Sequence, residues 1–144
     1  MTHEDAGKYS AKHPAGTTCH PAITAAVEQK AENDRITCGA AHEIAARLDV
    51  APMEVGKAID LLEYRIVKCQ MGLFGYSPEK KIVKPAGAVS RKLESRLRDA
   101  VHEGKVGCAT CWEIARELGI GKMDVSAACE GLKIKISPCQ LGAF

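Results

Sequence analysis

The chain has 144 residues, with 20 Lys and Arg against 18 Asp and Glu and a net charge of +2. That length suits one ordinary domain or two of the smallest, which excludes a large multi-domain enzyme, and the charge is too small to announce a nucleic-acid partner by itself. Hydrophobic residues make up 46% of the chain but aromatics only 4%, and Ala is abundant, so closely packed small helices are expected rather than a strand-rich sandwich.

No stretch reaches the roughly 18 apolar residues needed to cross a bilayer. Residues 1–21 are polar and lack the apolar region of a secretory signal, so the expected setting is the cytoplasm, with no membrane partner. Seven Cys, at Cys19, Cys38, Cys69, Cys108, Cys111, Cys129 and Cys139, is an odd number that fits reduced thiols or a metal better than a disulfide framework.

The sequence repeats itself at an offset of 70 residues without a gap. Residues 36–74 lie over 106–144, and 14 of 39 positions are identical, among them Cys38/Cys108, Ile44/Ile114, Ala45/Ala115, Met53/Met123, Val55/Val125, Cys69/Cys139, Gln70/Gln140, Gly72/Gly142 and Phe74/Phe144. Upstream the identities fade, but Ile23, Val27 and Ala31 still lie over Leu93, Leu97 and Val101 at helical spacing. The expected organisation is a polar extension over 1–20, a first repeat over 21–84, a linker over 85–89 and a second repeat over 90–144.

Each repeat reads as three helices. The first opens at Pro21, a favoured first-turn residue, and runs to Glu32; its counterpart follows Ser90, a good N-cap, and runs to His102. Asp34 and Gly104 break them. The second helix carries Ala41, Ile44, Ala45 and Leu48, or Cys111, Ile114, Ala115 and Leu118, on one face at i, i+3, i+4, i+7. A tight turn follows at Asp49-Val50-Ala51 and Gly119-Ile120-Gly121, where Gly and, less readily, Asp take the left-handed conformation that ends a helix. The third helix buries Val55, Ala58, Ile59 and Leu62, matched by Val125, Ala128, Cys129 and Leu132.

Beyond the third helix the period changes to two, with Ile134 and Ile136 alternating against Lys133 and Lys135, which predicts a strand. In the first repeat the chain is expected to turn at 72–78 and return through Lys80–Lys84 as a two-stranded ribbon. In the second repeat, which reaches Phe144, no return strand is expected.

A short helix, a tight turn and a second helix, with small Ala45 or Ala115 in the first and Val55 or Val125 in the second, resemble the helix-turn-helix signature. Gly119 sits at the expected turn position, and Asp49 stands there in the first repeat. With a preceding helix and a following β-ribbon, each copy resembles a winged helix-turn-helix domain of the winged-helix DNA-binding superfamily, over about 21–84 and 90–144. The fold class expected is therefore mainly α with small β-ribbons: two tandem winged-helix repeats forming a covalent pseudo-dimer. The resemblance implies a transcriptional regulator that binds duplex DNA.

The residues give that implication mixed support. In such a domain the third helix offers its outward positions to the major groove, here Ala51, Pro52, Met53, Glu54, Gly56, Lys57 and Asp60. Base edges are read by Arg, Lys, Asn, Gln, Ser and Thr; the first repeat supplies Lys57, opposed by Glu54 and Asp60, and the second supplies Lys122 and Ser126, opposed by Asp124 and Glu130. Further candidate DNA contacts are Lys80, Lys81, Lys84, Arg91 and Lys92, along the expected wing and the start of the second repeat, where they could hold phosphates or form a solvated face. The alternative is a non-enzymatic adaptor that docks a protein partner and does not bind DNA.

The repeat also sorts the thiols. Cys38/Cys108 and Cys69/Cys139 recur, whereas Cys111 replaces Ala41 and Cys129 replaces Ile59 on buried faces and reads as core. Cys38 and Cys108 fall at the start of the second helix, where the helix dipole is expected to lower a thiol's pKa. Cys69 and Cys139 lie in the strand expected after the third helix, and the winged-helix resemblance implies that this strand runs beside the segment entering the second helix, so each copy can bring its two thiols together. The four either pack as thiols or, if the copies face one another, ligate zinc or an iron–sulfur cluster. By strand parity with Lys135 and Ser137, Cys139 is expected on a polar face unless Pro138 introduces a bulge. The repeated Gln-x-Gly-x-Phe segments point to a demanding local turn or a shared docking hook. No phosphate loop, His-Glu-x-x-His or nucleophile elbow occurs, and the chain reads as non-enzymatic.

Overall fold

The structure, a computed structural model, describes residues 8–144. Its elements repeat at the offset seen in the sequence. Helix α1 (Pro21–Lys30), strand β1 (Arg35–Thr37), helices α2 (Cys38–Leu48) and α3 (Pro52–Leu61) and strand β2 (Arg65–Val67) form the first copy. The second runs in the same order through α4 (Arg91–Ala100), β3 (Lys105–Val106), α5 (Cys108–Leu118), α6 (Lys122–Gly131) and β4 (Lys135–Ile136). The described chain is thus mainly helical, with two small two-stranded sheets.

Local chemistry sets these bounds. His20 caps α1, its Nδ1 accepting the Ala22 N–H at 3.0 Å, with Pro21 in the first turn. Ser90 caps α4 through Leu93 N–H at 3.2 Å. Both helices stop short of the expected ends because Ala31 and Val101 turn to extended backbone, and positive φ at Asn33 and Asp34, and at Glu103 and Gly104, then reverses the chain toward the next strand. Asp49 (φ 54°) and Gly119 (φ 65°) adopt the left-handed conformation that closes α2 and α5.

The strands differ from the expected ribbon. β2 pairs in parallel with β1, Ile36 opposite Ile66, and β4 pairs with β3 in the same way, Val106 opposite Ile136. No strand forms over Lys80–Lys84. After β2 the chain curls at Gly72 (φ 72°) and Gly75 (φ 85°), and the Ile82 and Val83 N–H groups both turn onto the Gly72 carbonyl at 2.9 and 3.1 Å. A segment bent this tightly cannot present a straight edge to a returning strand.

Each third helix packs against the first two helices of its own copy. Matched side chains fill the two centres: Val27, Ala41, Ile44, Val55 and Ile59 in one, Leu97, Cys111, Ile114, Val125 and Cys129 in the other, all buried. Cys111 and Cys129 thus replace Ala and Ile as core residues, as expected. Each large apolar side chain buried this way is worth about 1.5–3 kcal/mol.

The copies meet through residues that are each other's counterparts. Phe74 and Phe144 meet edge to face with centroids 5.9 Å apart, and His42 and Trp112 lie 4.3 Å apart. A Cβ placed on Gly142 would lie 2.9 Å from Met53 Sδ, and one on Gly72 would lie 3.3 Å from Met123 Sδ. Such reciprocity, in which one residue meets another and their repeats meet in return, is the mark of an approximate two-fold contact. The segment before α1 fastens the join: Glu63 accepts hydrogen bonds from the Tyr9 and Ser10 N–H groups and the Ser10 hydroxyl. Lys12 pairs with Asp60 at 3.0 Å and donates to the Gly142 carbonyl at 3.0 Å.

Candidate functional site

The repeated Cys-Gln-x-Gly-x-Phe segments carry several of the contacts between copies. Each closes on itself: Cys69 N–H donates to Phe74 O at 3.1 Å and Gly72 N–H to Cys69 O at 2.9 Å, while in the other copy Cys139 N–H donates to Phe144 O at 2.8 Å and Gly142 N–H to Cys139 O at 3.1 Å. The demanding turn expected from the sequence is therefore this loop, with glycine at the positive-φ position.

Each loop lies against the third helix of the other copy. Gly56 faces the backbone of Leu141 so closely that a Cβ would stand 1.8 Å from its carbonyl oxygen. On α6, Met123 lies by Gly72, and Ala127 O accepts the Ala86 N–H at 2.9 Å. Gly56 and Asp60, expected to face outward, are buried. Asp60 is only 4% exposed and is held by Lys12 and by His13 Nε2 at 2.9 Å. Ser126 is fully buried, its Oγ without a hydrogen-bond partner, so it cannot touch a groove. The periodicity of the third helix distinguished the face turned to its own core from the other face; it could not show that the other face meets the second copy.

The remaining basic candidates are dispersed. Lys57 is half-buried and pairs with Glu54 at 2.9 Å. Lys80, Lys81, Lys84, Arg91 and Lys92 are exposed, and Lys81 forms an ion pair with Glu130. Lys122 rests on the Trp112 ring, Nζ 4.0 Å from its centroid, a cation–π contact. Arg116, Ile120, Lys122 and Met123 join Trp112 and Gln70 around an open groove across the α5–α6 turn.

Cys38 and Cys108 open α2 and α5 directly after β1 and one residue past β3, and Cys69 and Cys139 follow β2 and β4, so all four stand where the parallel ladders end. In the second copy Ser137 N–H donates to Val106 O at 2.9 Å and Cys108 N–H to Pro138 O at 3.0 Å, which brings Cys139 beside Cys108. All four are buried. β4 ends at Ile136, so the two-residue parity does not extend to Cys139 and the polar face expected for it is not realised. Cys38 and Cys108 also reverse expectation: burial, the largest effect, outweighs the hydrogen bonds from Gln70 and Gln140 and pushes their pKa up to about 12 and about 11. Cys69 is raised by burial as well.

Gln70 and Gln140, read in the sequence only as part of a repeated turn, also stand beside the thiols. Gln140 Nε2 donates to Cys108 Sγ at 3.4 Å, and a Cβ on Gly39 would lie 3.1 Å from Gln70 Nε2. Their identity in both copies was the available signal. Cys19, half-buried, stands apart with its thiol 3.7 Å from the Glu54 carbonyl.

No protein-family model, curated protein or solved structure matches the chain. Among the described residues no helix is long and apolar enough to cross a membrane.

Proposed function

We propose that the chain is a tandem winged-helix pseudo-dimer that acts as a non-enzymatic adaptor, docking a protein partner rather than reading base pairs. The observation that carries this reading is the packing of each copy's Gln-x-Gly-x-Phe loop on the other copy's third helix. A recognition helix must lay several side chains on base edges. Here Gly56, Asp60 and Ser126 are buried, and what stays exposed at the start of the helices is Met53 and Glu54 in one copy and Met123 and Asp124 in the other, where the acids repel phosphate.

The groove beside Trp112 supports the docking role. It offers the cations Arg116 and Lys122 around an aromatic and the exposed Met123, a combination suited to a segment with both acidic and apolar side chains. The second reading, a DNA-binding regulator, rests on exposed Lys80, Lys81, Lys84, Arg91 and Lys92 as phosphate contacts.

Binding to a mixed-sequence duplex across a salt series separates the two. The adaptor shows no binding, or only weak binding that disappears as salt approaches physiological strength. Tight, sequence-selective binding with a steep salt slope, diminished by Lys84→Ala and Arg91→Ala, overturns it.

A further inference from the structure

The four recurring thiols share one neighbourhood. Cys38 lies within electrostatic range of Cys69, Cys139 and Cys108; Cys69 of Cys139; and Cys108 of Cys139 and Cys69. Every one of the six pairings is represented, including those between copies. Cys69 and Cys139 donate their N–H groups to the carbonyls of Phe74 and Phe144, whose rings meet at 5.9 Å, so geometry too places the loops that carry them at the join between the copies.

Their immediate partners are N–H donors. The Cys69 sulfur receives backbone N–H groups of Leu73, Met71 and Phe74, and Cys38 that of Gln70. Cys139 Sγ receives Leu141 N–H at 3.4 Å, and Cys108 Sγ the Gln140 side-chain amide at 3.4 Å. A neutral thiol packed in a core has little need of such donors, because sulfur is a weak acceptor. A thiolate does need them, and N–H groups hydrogen-bonded to sulfur commonly surround ligated cysteine and tune its cluster. The donors come from the same loops in both copies, which accounts for the repetition of Gln and Gly beside the second cysteine.

Buried thiolates require a compensating cation. Among the described residues no three His, Cys, Asp or Glu side chains are gathered tightly enough to hold a single metal ion. Zinc, with sulfurs about 2.3 Å from one centre, needs such a gathering. A polynuclear centre places iron and inorganic sulfide between its ligands and spans a wider set.

The geometry points to an iron–sulfur cluster held between the copies by Cys38, Cys69, Cys108 and Cys139. On ligation each thiol gives its proton to solvent as its sulfur bonds iron. When ferrous and ferric iron are supplied in equal amounts with sulfide, no electron need be exchanged. The cluster ties both copies together at their shared axis, and its presence is independent of whether the partner is protein or DNA.

Anaerobic incubation of the full chain with equal ferrous and ferric iron and sulfide tests the assignment. The expected product is brown, carries two or four irons with as many sulfides per chain, about the content of the common four-cysteine clusters, and unfolds at higher temperature than the untreated protein. Single changes Cys38→Ser, Cys69→Ser, Cys108→Ser and Cys139→Ser each remove most of the iron and colour, whereas Cys19→Ser and Cys111→Ala retain both. Far-UV circular dichroism of each untreated variant separates loss of ligation from loss of fold, and Gln140→Leu, which keeps every thiol, is expected to load but to bleach faster in air. Folded wild-type protein that takes up no iron and sulfide overturns the proposal. So does one zinc per chain bound in preference to iron, or equal loss of iron on replacing Cys19 or Cys111.

Discussion

Phe74 and Phe144 occupy the same position in two copies of one sequence, and their rings meet edge to face at 5.9 Å. A residue that meets its own repeat lies on the axis relating the copies, so this pair locates the join. Each ring also ends a loop whose cysteine N–H bonds the phenylalanine carbonyl, which couples the geometry of the axis to that of the thiols.

Phe74→Ala is expected to cost about 3–5 kcal/mol, the usual range for a buried aromatic. Phe144→Ala costs less, because Phe144 is half-buried. In a double-mutant cycle followed by urea unfolding, the coupling between them should be about 0.5–1.5 kcal/mol. Zero coupling would show that the rings do not meet in solution.

Much of this was legible before any coordinates. Ala45, Val55 and their repeats announced two packed helices, and Asp49 and Gly119 marked the turn between them, because helical periodicity and left-handed turns are local properties. The parallel pairing of Ile36 with Ile66 was not legible, since either strand direction satisfies the same alternation. Nor was the burial of Gly56, Asp60 and Ser126. Their environment is set by the other copy, and amphipathic spacing within one helix shows only which side faces its own core. The thiols were found by repetition, but their proton affinity was misjudged, because the helix start is visible in sequence and the desolvation at Cys38 and Cys108 is not.

Gly56 offers a direct test of the join. Ala is favoured over Gly inside an isolated helix by about 1 kcal/mol. At Gly56 the added Cβ would stand 1.8 Å from Leu141 O, so Gly56→Ala must push the second copy's loop away. The expected result is a net loss of about 1–3 kcal/mol despite the better helix former. Gly87→Ala, with nothing within 4 Å of its Cβ, should stay within about 0.5 kcal/mol of wild type. Stabilisation by Gly56→Ala in urea unfolding would place that face of α3 in solvent.

Thiol reactivity should follow burial rather than position in the helix. Cys19 is half-buried while the other six are buried, and at neutral pH Cys38 and Cys108, with pKa near 12 and 11, hold very little of the reactive thiolate. Native alkylation of the metal-free protein, mapped by mass spectrometry, should label Cys19 first and Cys38 and Cys108 much later. In denaturant all seven should react. Early labelling of Cys38 would mean that the helix start governs its thiol after all.

His42 and Trp112 give the join a pH dependence of known sign. The His42 pKa is lowered from 6.5 to about 4, first by burial and second by the charge of Lys122, the same lysine that rests on Trp112. The unfolded chain therefore takes up the His42 proton near pH 6.5 while the folded chain resists until about pH 4. Across that window unfolding binds the extra proton, so this group makes the protein less stable as pH falls; above about 6.5 it contributes no slope. Trp112 is the only tryptophan, and its fluorescence reports on the contact directly. Urea midpoints measured by that emission should fall between pH 6.5 and 4 in wild type, and the fall should be shallower in His42→Gln. Identical slopes in the two proteins would show that the imidazole titrates as freely when folded as when unfolded, and that the His42–Trp112 stack does not bury it.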